Sequence, residues 1–304
     1  MSKVHWVALV TAARAGGKML TRLLAHFGSL EAVFQATPNQ LMQVPRVGPR
    51  TAAAIAAVDL PAVEADLARF AEMGIRVITW EDPAYPANLL CCDDAPPVLF
   101  VRGELSPGDA RAVAIIGTRK PTEPGATLAH SLAHELAGRG WTIVSGLAIG
   151  VDTAAHQGAL EAEGRTLAVL GSGLAAIYPQ RNVPLAEAVT ERGAVLAEVH
   201  PEATVSAQNL IARNRIASGL SRAVIVVQSA TDGGSMTTAR RAREQGRTVF
   251  AVTGCGTGCD LLIEQGAEAL TPGHIDWDIL SERLDRIVVR PPTDESGRSQ
   301  PHLL

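Results

Sequence analysis

The chain is short of the features that mark several protein classes. Its four cysteines fall as the adjacent pair Cys91 and Cys92 and as Cys255 with Cys259. A four-ligand zinc site needs two well-spaced pairs, so this spacing matches no zinc signature and unpaired thiols are expected. No run of eighteen apolar residues occurs, and Arg14 and Lys18 follow the first short apolar stretch rather than precede it. Neither a spanning helix nor a cleavable leader is therefore expected, and the cytoplasm is the expected compartment. There is no P-loop, no H-E-x-x-H and no Rossmann G-x-G-x-x-G with its acidic partner, and neither Ser145 nor Ser235 stands in a G-x-S-x-G context. No reaction chemistry, metal or cofactor is legible. An excess of cations is missing too: 27 Lys and Arg against 31 Asp and Glu leave a net charge of -4. Bulk charge thus argues nothing for nucleic acid, and what matters is where the cations stand.

What is present is a globular composition, 47% hydrophobic and 19% charged over 304 residues, arranged in two textures with no internal repeat. Residues 1–65 carry short helical patterns: Met19 to Phe27, Leu30 to Gln35, then Thr37-Pro38 as cap and first-turn proline before Asn39 to Val44. Within them VPRVGPRTAAAIA, residues 44–56, has the form of a helix-hairpin-helix. Gly48 is expected to take a positive φ there, and the turn either offers amides to a DNA phosphate or only packs; Pro49 removes one such amide. A polar connection around Glu81 to Pro97 leads into the second texture, expected to fill 66–285, and the segment 286–304 reads as a disordered tail.

From residue 98 on, short β-branched runs (VLFV, AVAIIG, WTIVSG, TLAVLGSG, AVLAEV, AVIVVQS, TVFAVTG) alternate with alanine-rich helical stretches starting near Gly125, Asp152, Asn182, Gln208 and Ser235. Near-continuous apolar strands separated by helices imply an α/β fold: an extended Rossmann-like parallel sheet covered by helices on both faces, with a small all-helical (helix-hairpin-helix/SAM-like) N-terminal domain. Such sheets bind ligands where strands end. The loops there are Gly117-Thr118-Arg119-Lys120, Ser145-Gly146-Leu147-Ala148, Gly171-Ser172-Gly173 and Asp232-Gly233-Gly234-Ser235. Small residues let a ligand approach the backbone, and amides at helix starts favour anions. Between Val205 and Phe250 the arginines are 213, 215, 222, 240, 241, 243 and 247 against Asp232 and Glu244, a local bias suited to a phosphate backbone. The 240–247 group reads equally as a solvated helix face. Arg213 and Arg215, two apart on a helix, cannot point the same way; one is expected to meet phosphate and the other to support a loop. Asp152 either caps its helix or orients a strand-end loop or Arg119, and His156 reads as a hydrogen-bonded core residue.

Taken together, VAIIGTRKPTEPG (113–125), SGLAIGVDTAAHQGAL (145–160), TLAVLGSGLAAIYPQRN (166–182), ARNRIASGLS (212–221), GGSMTTARRAREQGRTVFAVTG (233–254) and CDLLIEQGAEAL (259–270) resemble the DprA/Smf family of DNA-processing proteins over about residues 75–280. The resemblance implies a non-enzymatic, dimeric single-stranded DNA-binding protein that loads the RecA recombinase during natural transformation. It carries the family's basic pocket onto Gly117, Thr118, Arg119 and Lys120, onto Arg213, Asn214 and Arg215, and onto Gly234, Ser235 and Thr238, with Ser145, Gly146, Gly171, Gly173 and Gly233 in the adjoining loops. Leu210 and Ile211 stand where the family usually has Phe-Pro, which removes an aromatic able to stack on a base, and Ile149 stands where a basic residue is frequent. Many members end in a winged helix, for which the chain is too short. The GTR loop and the Gly233 glycine pair also resemble nucleoside-monophosphate phosphoribohydrolases, enzymes that need a glutamate where this chain offers Thr237 and Thr238. A third reading is a structural RecA partner with a vestigial DNA site.

Overall fold

A computed structural model describes residues 3–13 and 15–290. Six helices come first: α1 (Lys3–Ala12), α2 (Gly17–Phe27), α3 (Leu30–Gln35), α4 (Pro38–Leu41), α5 (Pro49–Ala56) and α6 (Leu60–Glu72). Thr37 caps α4 in a reciprocal box with Gln40, with Pro38 at the first turn. The hairpin before α5 differs from expectation in its turn: Gly48 has φ -90° and Arg46, at φ 69°, takes the left-handed conformation. Gly48 instead precedes the proline that opens α5, and residues before proline are held extended. The domain boundary expected at 65/66 falls inside α6, and the helices share one apolar cluster with the sheet. Trp6 of α1 meets Trp80 edge-on at 6.1 Å, and Phe70 of α6 meets Phe100 at 6.4 Å, so the helical module is seated on one flank of the sheet.

The remaining elements are β1 (Ile75–Thr79), α7 (Ala87–Leu90), β2 (Val98–Gly103), β3 (Ala112–Ile116), α8 (Glu123–Gly138), β4 (Thr142–Ser145), α9 (Val151–Glu161), β5 (Thr166–Leu170), α10 (Val183–Arg192), β6 (Ala194–Ala197), α11 (Ala207–Ala212), α12 (Asn214–Leu220), β7 (Ala223–Val226), α13 (Gly234–Glu244), β8 (Thr248–Val252), α14 (Thr257–Glu264), β9 (Glu268–Leu270) and α15 (Trp277–Asp285). The strands lie in the order β1-β2-β6-β5-β4-β3-β7-β8-β9. From β6 to β9 all neighbours are parallel; β2 pairs antiparallel with β6, and β1 antiparallel with β2. The VLFV run, expected in the parallel sheet, is thus an antiparallel extension. Strands β1 and β9 lie outside the seven runs read from sequence, because β1 precedes residue 98 and its apolar run is broken by the exposed Arg76, while β9 has only three residues.

Every residue of β3 is buried, and its side chains alternate between two clusters. Ala112, Ala114 and Ile116 face the cluster shared with the N-terminal helices, α12 and α13, whereas Val113 and Ile115 face α8, α9 and α15. The chain leaves β3 towards β4, continues outward to β6, and returns through α11 and α12 to β7 on the other side of β3. Successive connections therefore diverge between β3 and β7, and this opens a crevice at their carboxyl ends. Of the expected tail, residues 291–304 lie outside the described residues, while Ile287 still packs against the α8-side cluster.

Candidate functional site

The β3–β7 crevice is about 520 Å³ and is lined by the Gly117–Lys120 loop, by Leu210, Ile211, Arg213 and Asn214, and by the loop from Ser229 to Ser235 with Thr238. Its geometry begins at Gly117, where a side chain would meet Val151 Cγ2 at 2.6 Å and the Gln228 carbonyl at 2.9 Å. With no Cβ in the way, β3 can end against both β7 and the start of α9. The Thr118 amide donates to the Gln228 carbonyl (2.8 Å), and the Val151 amide donates to the Thr118 carbonyl (3.2 Å). Arg119 and Lys120 therefore project from a loop tied down on two sides. Both are exposed, and neither has an ion-pair partner among the described residues.

Opposite them, α13 begins at Gly234, and the Gly234 and Ser235 amides have no acceptor among the described residues, as expected of a first helical turn. Ser235 Oγ is within 2.7 Å of Ser229 Oγ, a contact that ties the helix start to the loop after β7. Such amides, together with unpaired cations, favour an anion.

Arg213 forms the back wall, at the break between α11 and α12. It is 9% exposed; its Nη1 donates to the Val169 carbonyl (2.9 Å), and Nε has no partner. Burial pulls its pKa down, Asp152 works against that, and Arg119 adds to it. Asp152 is itself buried and its pKa is raised by that burial, with Arg213 the largest opposing influence. It accepts from the Gly146 (3.2 Å) and Ala148 (3.3 Å) amides, so of the roles read from sequence it orients the loop after β4; α9 has no side-chain cap. His156 is a core residue. Thr166 Oγ1 donates to the Ile143 carbonyl (2.8 Å), so the Nδ1–H of His156 donates to Thr166 Oγ1 (2.7 Å), and Nε2 is left as an unpartnered acceptor. Burial, with Arg213 nearby, pushes its pKa down to about 3.

Of the residues singled out from sequence, Gly117, Thr118, Arg119, Lys120, Arg213, Asn214, Gly233, Gly234, Ser235 and Thr238 come together in this crevice. Gly146 lines a smaller adjoining cavity of about 70 Å³ with Arg119, Ile149, Tyr178, Leu210 and Arg213. Four others do not line it. Ser145 Oγ donates to the Ile115 carbonyl (2.7 Å) inside the sheet. A Cβ on Gly171 would meet Leu210 Cα at 2.8 Å, and one on Gly173 would collide with the Pro201 carbonyl, so these glycines serve backbone packing. Arg215 turns away to Glu198 (2.6 Å) and Asp94 (3.7 Å).

The arginine bias of residues 205–250 is largely dispersed in the same way. Arg222 donates to the Ala110 carbonyl (2.9 Å), Arg241 pairs with Glu244 (2.7 Å), Arg243 reaches the Leu262 carbonyl (3.1 Å), and the buried Arg247 donates to the Asn88 carbonyl (2.7 Å). Sequence reasoning quoted but did not single out Gln228, whose Oε1 accepts from the Thr122 amide (3.0 Å), and Tyr178, because neither is a charged or glycine residue of a strand-end loop. Burial raises the pKa of the four cysteines, none is in a disulfide, and no metal-ligating cluster occurs among the described residues. No described helix is long and apolar enough to cross a membrane.

Comparison with known proteins agrees with this architecture. Residues 15–57 match the model of the SAM-like helix-hairpin-helix tandem. The DNA processing protein DprA of Bacillus subtilis is 40% identical over 223 residues, which are 71% of this chain and 75% of that protein. The structure of DNA processing protein A from Streptococcus pneumoniae superposes with a TM-score of 0.79 at 29% identity, covering 92% of this chain and 97% of the other. That of DNA processing protein A from Helicobacter pylori, described for its single-stranded DNA binding mode, does so with a TM-score of 0.61 at 30% identity over 69% and 95% of the two chains. Residues 76–280 match the model of the DNA recombination-mediator protein A, and the chain belongs to that family, the DprA/Smf DNA-processing proteins.

Proposed function

We propose that this protein binds single-stranded DNA in the β3–β7 crevice, without strong sequence preference and without catalysing a reaction on it. One observation carries the reading: two exposed, unpaired cations, Arg119 and Lys120, face the bare amides of Gly234 and Ser235 across a crevice backed by Arg213. Guanidinium, ammonium and amide groups bind phosphate oxygens whatever the base, so the site suits a repeated backbone. Gly117, Thr118, Asn214, Gly233 and Thr238 shape its walls. The acids lining it are Asp152, engaged by two amides, and Asp232. That set favours binding over the glutamate-dependent cleavage of a ribotide, and free adenine released from AMP would reverse the choice.

Around that site we place the finer role: a cytoplasmic homodimer that protects incoming strands and loads RecA during transformation and recombination. The family relationship and the single-stranded DNA binding of the Helicobacter relative support it. The primary test is competition between single- and double-stranded oligonucleotides at two ionic strengths, with Arg119→Ala and Arg213→Ala. Preference for the single strand, weakened in both variants, is expected; binding unchanged in both refutes the site. RecA filament formation on oligonucleotide with the same variants separates a working DNA site from a purely structural RecA partner.

A further inference from the structure

We propose that Tyr178, with Leu210 beside it, is a stacking platform for a base of the strand whose phosphates lie in the crevice, and that the strand passes over it into a second groove. This rests on the single-strand reading above. Among the described residues Tyr178 is the only tryptophan, tyrosine or phenylalanine whose side chain is exposed, at 45%. It is also placed at a junction. The small cavity it lines shares Arg119, Arg213 and Leu210 with the main crevice. Tyr178 also lines a second groove of about 490 Å³ with Leu174, Ile177, Val205, Met73 and Arg102. Each hollow thus shares lining residues with the next, and Tyr178 is the residue common to the small cavity and the groove.

The loop that carries the ring is anchored to the crevice. The Tyr178 amide donates to Ser172 Oγ (3.2 Å). Asn182 Nδ2, four residues on, donates to the Leu147 carbonyl (2.8 Å) and to Thr153 Oγ1 (2.9 Å), on either side of the turn that Asp152 organises. Tyr178 therefore keeps its position relative to Arg119 without a ligand. Arg102, in the second groove, is half-buried and has no ion-pair partner among the described residues, which supplies a cation for a phosphate beyond the stacked base. Phosphate held on one side, base on an aromatic face and phosphate again is the alternation a single strand requires, and every base has a face to offer.

The test compares Tyr178→Ala and Tyr178→Phe with the unaltered protein on a fluorescent oligothymidine and on an oligonucleotide of equal length made of abasic residues. Loss of one base–aromatic stack predicts about fivefold to a hundredfold weaker oligothymidine binding for Tyr178→Ala, and wild-type binding for Tyr178→Phe. Abasic binding should be the same for all three, and the salt dependence of oligothymidine binding should be unaltered, because stacking neutralises no phosphate. Unchanged oligothymidine affinity in Tyr178→Ala, with Arg119→Ala still impaired, overturns the platform and leaves the crevice standing. An equal loss on the abasic strand also overturns it. Failure of the unaltered protein to bind oligothymidine removes the single-strand reading and this inference with it.

Discussion

The salt dependence of binding turns the placement of three arginines and a lysine into a number. From sequence, Arg119, Lys120, Arg213 and Arg215 all qualify as phosphate ligands; in the structure Arg215 is neutralised by Glu198 and Asp94, and three cations line the crevice. For a short oligonucleotide that fills the crevice alone, three released counterions give a slope of log affinity against log salt of about -0.7 × 3, or roughly -2. Affinity should then fall about twentyfold between 50 and 200 mM salt. Arg119→Ala removes one contact, so its slope should be about -1.4 and its loss over the same range about sevenfold. Arg215→Ala should destabilise the fold by stranding Glu198 but leave the slope near -2. Fluorescence anisotropy of a labelled oligothymidine at four or more salt concentrations reads both slopes. A slope that stays near the wild-type value in Arg119→Ala, or one that drops in Arg215→Ala, would refute the assignment of free and committed cations.

His156 is held neutral, with its pKa at about 3, so between the ordinary value near 6.5 and about 3 the unfolded chain binds a proton that the folded chain does not. Stability is therefore complete above pH about 6.5 and lost on acidification, by about 2 kcal/mol at pH 5, and His156→Gln should flatten the shift of the urea midpoint between pH 7 and 5. Gly117→Ala should lower both Tm and DNA affinity, because its Cβ meets Val151 and the Gln228 carbonyl, whereas Gly234→Ala, with nothing within 4 Å, should leave Tm unchanged; equal effects would contradict the described packing. Arg247→Ala should cost about 2 kcal/mol by removing the guanidinium donor to the buried Asn88 and Gly219 carbonyls, with only the weak Cys92 thiol left on Asn88, measured by denaturant unfolding, with no change in the salt slope.

The α/β class, the seven apolar runs, the helix starts and the loops at the strand ends were legible in the sequence, because burial on both faces of the sheet imposes a local composition on each strand, whereas the antiparallel pairing of the VLFV run leaves no such mark. The GTR loop belongs to that legible part. Gly117 is required where β3, β7 and α9 converge, and cations placed just beyond it have little choice but to stand at the sheet's rim. The hairpin turn was half legible: Pro49 marked the start of α5, but which neighbour turns left-handed depends on the path of the whole turn, and Arg46 rather than Gly48 does so.

By itself, then, the sequence determined the architecture and the edge of the sheet at which an anion could be held, since both follow from local periodicity and from glycine placement. Tertiary structure alone decided which charges remain free. Arg213 and Arg215 stand two residues apart, yet one backs the crevice while the other is drawn off by Glu198, 17 residues away, and by Asp94; Arg247 is taken up by a carbonyl 159 residues distant. An ion's availability is set by its neighbours in space, and pairing across such separations leaves no pattern along the chain. The same holds for Tyr178, whose exposure and place between two hollows exist only once the loops after β4 and β5 are tied together by Asn182.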